Sequence, residues 1–238
     1  MKAPRTSATS RAMPPRYEER WLDPFETLLA PDLVPGVSIL DVGCGRRPTI
    51  APADRPAGCS YFALDVSRKE LEAAPANAYD EIVVGDVTRR MPELDGRFDL
   101  VVSWQALEHV KPVRAALGNL RCCLRPGGHL VVQLSGRYAI FSLVGRVVPH
   151  RAGARMMQRL LDREPDTVFP AWYDGCYYEA LEQMLGEWSV AEIVPRYKGG
   201  DYLSFSRALQ RLYLGYENWA ERGRHRNLAT HYVVSAWR

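Results

Sequence analysis

The chain has 238 residues, a formal net charge of +3, 47% hydrophobic residues and 25% charged residues. These proportions are typical of one folded domain and exclude a disordered or fibrous protein. The charge is too small and too scattered to predict a nucleic-acid partner, which usually requires a concentrated basic stripe.

The composition of residues 1–16 predicts a disordered N-terminal arm. Basic residues are interspersed there with Ser, Thr and Pro, and the apolar core of a secretory signal is missing. No apolar stretch of the chain approaches the roughly 18 residues needed to cross a bilayer. We therefore expect a cytoplasmic protein in which residues 17–238 form a single domain, with residues 17–29 as an amphipathic helix carrying Trp21 and Phe25 on one side.

Five short apolar runs follow, separated by helical or loop segments, which is typical of a parallel sheet with crossover helices. The predicted strands cover residues 38–42, 60–64, 81–84, 98–103 and 128–134. Between the fourth and fifth strands, apolar residues at helical spacing predict a helix over residues 106–124. Pro126 and the two glycines after it would end that helix.

The segment 136–176 is rich in Arg and aromatic residues and lacks strand alternation, so we predict an inserted helical lid. Within it, Arg151, Arg155 and Arg159 recur at helical spacing beside apolar residues and predict a basic amphipathic helix. That helix could pack on the core with a solvated basic face, make a peripheral membrane contact, or bind a phosphorylated acceptor.

After the lid the chain returns to regular structure and completes the sheet over residues 177–238. The predicted order is a helix near 177–185, a strand near 190–195, a helix near 202–222 and a strand near 230–237. The predicted fold class is therefore α/β, a doubly wound Rossmann-like sheet of seven strands.

The five cysteines form no Cys-x-x-Cys pair, and an odd number cannot all pair within one chain. We interpret them as reduced thiols and expect no metal site.

A candidate nucleotide site follows the first predicted strand. Gly43 and Gly45 would let the chain turn sharply and bring its backbone against a ligand. Asp65 lies twenty residues after Gly45, at the end of the second strand, the offset expected for a carboxylate that accepts from ribose hydroxyls. These residues alone leave NAD and S-adenosylmethionine equally open.

Further motifs separate the two cofactors. The sequence Leu40-Asp41-Val42-Gly43-Cys44-Gly45 resembles the first motif of class I S-adenosylmethionine-dependent methyltransferases, and Val84-Gly85-Asp86-Val87 resembles their acidic loop. Residues 98–103, Leu107-Glu108-His109-Val110 and residues 124–128 resemble the later motifs in order and spacing. The resemblance covers about residues 36–135 and is nearest to the broad bacterial group often called type 11 methyltransferases.

The resemblance implies S-adenosyl-L-methionine as cofactor, with Asp86 accepting from the adenine amino group and Val87 donating its N–H to the ring. The cofactor-binding residues that it implies are Asp41, Gly43, Cys44, Gly45, Asp65, Val66, Asp86, Val87, Ser103, Trp104 and Gln105. The chain departs from the family after Gly45, where Pro48 and Pro52 predict a short or displaced first helix. Arg46 or Arg47 could then hold the carboxylate end of the cofactor.

For catalysis, His109 is the histidine next to a recognised motif, and imidazole suits a base that takes a hydroxyl proton. Its alternative role is only to shape the pocket, in which case Tyr173 and its neighbours in the lid become the candidates for the base.

The chain lacks the signatures of adenine, glutamine, cytosine and magnesium-dependent catechol methylation, which leaves metal-free transfer to an oxygen or nitrogen of a small molecule. The sequence does not predict the acceptor or the oligomeric state. Two other functions remain open. One is an adenosylmethionine-binding domain without turnover. The other is an NAD-dependent oxidoreductase, although the third glycine and the Tyr-x-x-x-Lys that it needs are missing.

Overall fold

The computed structural model describes residues 13–147 and 170–238, and in them the chain forms a seven-stranded mixed sheet in the order β3-β2-β1-β4-β5-β7-β6. The pairs among β1 to β5 are parallel, whereas β7 runs antiparallel to both β5 and β6. The strands are β1 (Ser38–Val42), β2 (Ser60–Asp65), β3 (Glu81–Val84), β4 (Phe98–Trp104), β5 (Leu124–Ser135), β6 (Val190–Arg196) and β7 (His231–Trp237). This sheet confirms the predicted Rossmann-like α/β fold.

Six α-helices are present in the described residues, with short 3-10 turns between several of the elements. The helices are α1 (Asp23–Leu29), α2 (Arg68–Glu72), α3 (Val113–Cys123), α4 (Ile140–Val147), α5 (Tyr178–Met184) and α6 (Arg207–Arg222).

Each face of the sheet has its own apolar core. One core joins alternate residues of the central strands to α3 and α5, for example Leu117 and Leu181. The other core joins the opposite faces of the same strands to Phe25 and Leu29 of α1. Because neighbouring strand residues point to opposite faces, central strands covered on both sides are almost entirely apolar, as β4 is here.

Three helices begin later than their patterns predicted. The segment predicted as a helix from residue 106 starts as a 3-10 turn, Leu107–His109, and α3 starts only after Pro112. Proline disfavours helical geometry in the residue before it and lacks an N–H, so it separates the two pieces. Likewise α1 starts at Asp23, and a 3-10 turn, Gly200–Leu203, precedes α6.

The N-terminal arm and the lid are covered only in part, because residues 1–12 and 148–169 lie outside the described residues. The predicted basic helix at Arg151, Arg155 and Arg159 falls in the second gap. Arg16, assigned above to the disordered arm, instead has defined contacts. Its guanidinium donates to the carbonyl of Tyr197 at 2.5 Å and to Oδ1 of Asn218 at 2.7 Å. In the part of the chain that the structure describes, no helix is long and apolar enough to cross a membrane.

The topology places a crevice at the carboxyl ends of β1, β2 and β4. The chain leaves β1 toward β2 on one side and reaches β4 on the other, so the connecting loops diverge there. Ligands of open α/β sheets bind at such a position. The glycine-containing loop after β1 opens directly onto it.

Candidate cofactor and acceptor sites

The loop after β1 turns on two glycines, of which Gly43 is exposed and Gly45 is buried. Gly43 and Gly45 have φ angles of +70° and +52°, a region that side chains with a Cβ rarely adopt. The N–H of Gly43 donates to the carbonyl of Leu64 at 2.7 Å. A Cβ added at Gly43 would lie 2.3 Å from Cβ of Ala106, so only glycine fits between the end of β1 and the loop after β4.

Asp65 ends β2 beside this loop. Its Oδ2 accepts from the N–H of Gly45 at 3.0 Å, and its Oδ1 accepts from the N–H of Ser67 at 2.8 Å. Burial raises the pKa of Asp65, and the two backbone donors partly offset that rise. The next residue, Val66, is 71% exposed, which leaves an apolar surface beside a half-buried carboxylate. The predicted pair of Gly45 and Asp65 is therefore brought together.

Asp41 has a different position from the one predicted for a cofactor ligand. Its carboxylate is 0% exposed and accepts from the N–H and Oγ1 of Thr49 and from the hydroxyl of Tyr61, each at 2.7 Å. Burial raises the pKa of Asp41 to about 6, against the opposing effect of these three donors. The side chain thus fixes the loop that carries the glycines, and it offers no exposed oxygen to a cofactor.

The prolines predicted a short or displaced first helix, and the segment between β1 and β2 contains no α-helix at all, only a 3-10 turn, Pro52–Asp54. Arg46, next to Gly45, donates to both carboxylate oxygens of Glu70 at 2.7 Å. The hydroxyl of Tyr79 donates to the carbonyl of Gly45 at 2.9 Å. Burial raises the pKa of Cys44, so its thiol stays protonated, and its Sγ donates to the carbonyl of Asp41 at 3.5 Å.

The acidic loop after β3 leaves Asp86 accessible. Asp86 is exposed, and its Oδ1 accepts from the N–H and hydroxyl of Thr88 at 2.9 and 2.8 Å, which lowers the pKa of Asp86. Val87 is buried, and its carbonyl accepts from the Asn119 amide at 2.9 Å. The carboxylate is therefore charged and held by its own loop.

The end of β4 contributes three predicted residues with separate roles. The Ser103 hydroxyl is buried and donates to the carbonyl of Val42 at 3.0 Å, which ties β4 to β1. The Trp104 ring packs edge-on against Phe25 at a centroid distance of 5.0 Å. Gln105 has a φ of +53°, so the chain turns sharply there. Ser103 is thus structural, and Trp104 packs on the apolar core that contains Phe25.

The two candidate catalytic residues, His109 and Tyr173, are both next to Glu108. His109 follows it in the chain, and the backbone of Tyr173 is hydrogen-bonded to it. Nδ1 of His109 lies 3.0 Å from the carbonyl of Pro170. A ring that donates from Nδ1 carries its acceptor at Nε2, the arrangement that a base requires. The carbonyl of Glu108 accepts from the N–H groups of Trp172 and Tyr173 at 2.9 and 3.0 Å. The chain around residue 172 is thereby fixed against the turn that carries His109.

Glu108 itself is a residue that the sequence analysis did not select. Its side chain is buried, and Oε1 accepts from the N–H of Ser135 at 3.3 Å. Oε2 is buried without a hydrogen-bond partner among the described residues. Burial and the nearby charge of Glu108 raise the pKa of Tyr173, whereas a hydrogen bond with Ser142 lowers it. The position of Glu108 inside the Leu107-Glu108-His109-Val110 motif was the signal that could have identified it.

His231 was also missed. It pairs with Ser135 across β5 and β7, and it lies between Trp21 and Phe141 at ring-centroid distances of 4.4 and 5.5 Å. Its two ring nitrogens are buried without hydrogen-bond partners in the described part of the chain. Burial lowers the pKa of His231 to about 3, so the ring is neutral. Its sequence context, an ordinary apolar strand, gave no signal for this position.

Comparison with known proteins agrees with this geometry. Residues 15–228 match the model of a family described as a methyltransferase domain. A ubiquinone biosynthesis O-methyltransferase of Bradyrhizobium sp. (strain ORS 278) is 33% identical over 105 residues, which are 43% of this chain and 41% of that protein. The O-methyltransferase resE of Aspergillus sclerotiorum is 30% identical over 103 residues, 41% of this chain and 39% of that protein. The chain thus spans about two fifths of the length of these relatives.

Solved structures show the same fold at low identity. A phosphoethanolamine N-methyltransferase 2 of Haemonchus contortus has a TM-score of 0.55 at 15% identity, covering 92% of this chain and 52% of that one. A SAM-dependent methyltransferase of Archaeoglobus fulgidus has a TM-score of 0.52 at 14% identity, covering 94% of both chains.

Proposed function

Because the chain belongs to the methyltransferase domain family, we propose that it transfers a methyl group from S-adenosylmethionine to an oxygen or nitrogen of a small-molecule acceptor. The observation that carries the proposal is the contact between Gly45 and Asp65, which joins a bare backbone loop to a carboxylate at the crevice. This arrangement offers a nucleoside the two features that it needs, an acceptor for its ribose hydroxyls and room for close approach.

The residues present fit S-adenosylmethionine. Gly43 and Gly45 have positive φ angles, and a Cβ at Gly43 would collide with Ala106, so the loop has to keep its bare backbone; the half-buried Asp65 would hold the ribose. Val66 would cover the adenine ring, and Asp86 would accept from its amino group. Arg46, at the start of the departing loop, is our candidate for the carboxylate end of the cofactor. When bound, the cofactor supplies an electrophilic methyl carbon attached to a sulfonium.

We place the acceptor beyond the end of β4, where the N–H groups of Trp172 and Tyr173 donate to Glu108, next to His109. We assign His109 as the base that takes the proton of an acceptor hydroxyl, because the carbonyl of Pro170 orients its ring. Tyr173 and Glu108 would bind or orient the acceptor. Positioning and exclusion of water by these side chains would supply most of the acceleration.

An oxygen acceptor is favoured over nitrogen by the curated relatives, since two of those that match are O-methyltransferases by name. Two alternative functions make different predictions. A binding domain without turnover would bind the cofactor but transfer no methyl group. An NAD-dependent oxidoreductase would bind NAD at least as tightly as S-adenosylhomocysteine.

The decisive experiment combines calorimetry with a radiolabelled methyl-transfer assay. The proposal expects micromolar binding of S-adenosylhomocysteine, much weaker binding of NAD, and label transfer to members of a panel of phenols and other hydroxyl compounds. Cofactor binding without transfer to any acceptor would favour the binding domain. Equal affinity for NAD would overturn the cofactor assignment.

A further inference from the structure

The surface of α6 carries an exposed apolar stripe that the proposed activity does not use. Leu212 is 73% exposed and Trp219 is 54% exposed. Phe205, just before the helix begins, is 64% exposed. A soluble surface rarely carries large apolar side chains close together without a binding role.

The stripe is continuous along the helix. At 100° per residue, the outward side of α6 presents its apolar and small residues within an arc of about 120°. These residues, called here the outer face of α6, are Ala208, Leu209, Leu212, Gly215, Tyr216 and Trp219. The buried residues Tyr213, Glu217 and Ala220 lie outside this arc, beside Leu209, so the stripe is not the core-facing side.

A row of arginines borders this stripe. Arg207, Arg211 and Arg222 are exposed, and in the part of the chain that the structure describes none of them makes a hydrogen bond or ion pair. Of the two acidic residues of the helix, Glu217 is buried and Glu221 is exposed, and both pair with Arg16. Among the described residues, the apolar stripe is therefore bordered by unpaired positive charge, while both carboxylates of the helix are neutralised.

The C-terminal half of the stripe is held rigidly by aromatic contacts. Trp219 lies between the rings of Tyr216 and His225, at centroid distances of 6.0 and 4.3 Å. Indole rings favour the boundary between hydrocarbon and headgroups, because one edge is apolar and the N–H prefers water. Holding the ring in place removes part of the entropic cost of ordering it on a partner.

We propose that the outer face of α6 binds the surface of an anionic phospholipid membrane, with the helix lying in the plane of the interface. An apolar stripe about 120° wide with arginines along one side is typical of interfacial helices. The apolar residues of such a helix insert among the lipid acyl chains, and the anionic headgroups attract the arginines. Charge complementarity selects this occupant over a second copy of the chain. Antiparallel pairing of two such stripes would bring the two arginine rows onto the same side.

The proposal also connects the membrane to the acceptor side, although it does not depend on the proposed function. Tyr202, in the 3-10 turn before α6, packs on Phe141 at a centroid distance of 4.6 Å, and Phe141 packs on His231. A membrane bound to the outer face of α6 would therefore lie near Phe141 and His231, the residue that pairs with Ser135 across β5 and β7.

Vesicle flotation with the full chain tests the proposal. We expect the protein to float with vesicles of phosphatidylcholine mixed with phosphatidylglycerol, more weakly with pure phosphatidylcholine, and less as salt is raised. The double variant Leu212→Ser/Trp219→Ser should lower the partition coefficient about tenfold or more, because it removes two large apolar side chains from the interface. Arg207→Gln/Arg211→Gln should weaken binding to anionic vesicles only.

The matched control is Val190→Ser, which removes an exposed apolar side chain from the edge strand β6 and should float like the wild type. Circular dichroism of each variant checks that the fold is kept. Failure of the wild type to float, or equal flotation of the α6 variants, overturns the proposal. A dimer in light scattering that Leu212→Ser abolishes would assign the face to a second copy instead. Methyl transfer in solution is measured separately and does not bear on the outcome.

Discussion

The N–H of Gly45 and the carboxylate of Asp65 form a 3.0 Å hydrogen bond that joins the ends of β1 and β2, twenty residues apart in the chain. Gly45 is buried and Asp65 is half-buried at the carboxyl ends of these strands. Both oxygens of Asp65 also have lone pairs left beyond this bond and the one from Ser67, because a carboxylate accepts several hydrogen bonds at once.

Asp65→Ala should weaken S-adenosylhomocysteine binding by about 1–3 kcal/mol, since charge-assisted hydrogen bonds to ribose are lost. Calorimetry measures the change, with Asp54→Ala on the exposed 3-10 turn before β2 as the control. Unchanged affinity in Asp65→Ala would contradict the cofactor site.

Gly43→Ala should abolish cofactor binding and lower stability. The new Cβ would lie 2.3 Å from Cβ of Ala106, and the residue would have to keep a φ of +70°. Thermal unfolding and calorimetry together measure both effects. Gly118→Ala is the matched control, because a Cβ at that position of α3 meets nothing within 4 Å. Equal behaviour of the two variants would show that the loop after β1 can move freely.

His109→Ala should reduce kcat by about a hundredfold with an acceptor hydroxyl of high pKa, and much less with an acceptor that is already ionised. S-adenosylhomocysteine affinity should stay at the wild-type value, because a base acts on the transition state more than on the bound cofactor. A parallel loss of affinity and rate would make His109 a pocket-shaping residue and move the search for the base to Tyr173.

The buried, neutral His231 predicts a pH dependence of stability. Burial lowers its pKa from 6.5 to about 3, and the positive charge of Arg196 acts in the same direction. The unfolded chain therefore takes up a proton below about pH 6.5 that the folded chain does not accept. The free energy of unfolding should then fall by up to about 1.4 kcal/mol per pH unit as pH drops through this window.

Urea unfolding at several pH values measures how the free energy of unfolding depends on pH. His231→Phe keeps an aromatic ring between Trp21 and Phe141 and cannot be protonated, so its stability should depend less on pH between about 6.5 and 4. His225→Gln, at an exposed position, should retain the wild-type slope. Identical slopes in the wild type and His231→Phe would contradict the prediction.

Local pattern was sufficient for the framework of this protein. Short apolar runs separated by helical segments indicated a parallel sheet. The strands of such a sheet are covered by helices on both faces and are therefore apolar along most of their length. The glycines after β1 and the offset to Asp65 indicated the cofactor site, since close approach of backbone to a ligand restricts the residue to glycine. Pro48 and Pro52 indicated a short or displaced first helix, because proline interrupts helical hydrogen bonding, and the structure has only a 3-10 turn there.

The tertiary structure alone decided which polar side chains serve the fold and which face a ligand. Asp41 belongs to the same motif as Gly43, yet Thr49 and Tyr61 take up its oxygens inside the protein. Glu108 and His231 are far apart in sequence and became neighbours of Ser135 only through the pairing of β5 with β7 and the turn after β4. Burial and hydrogen-bond partnership depend on long-range packing, which residue type and spacing do not specify.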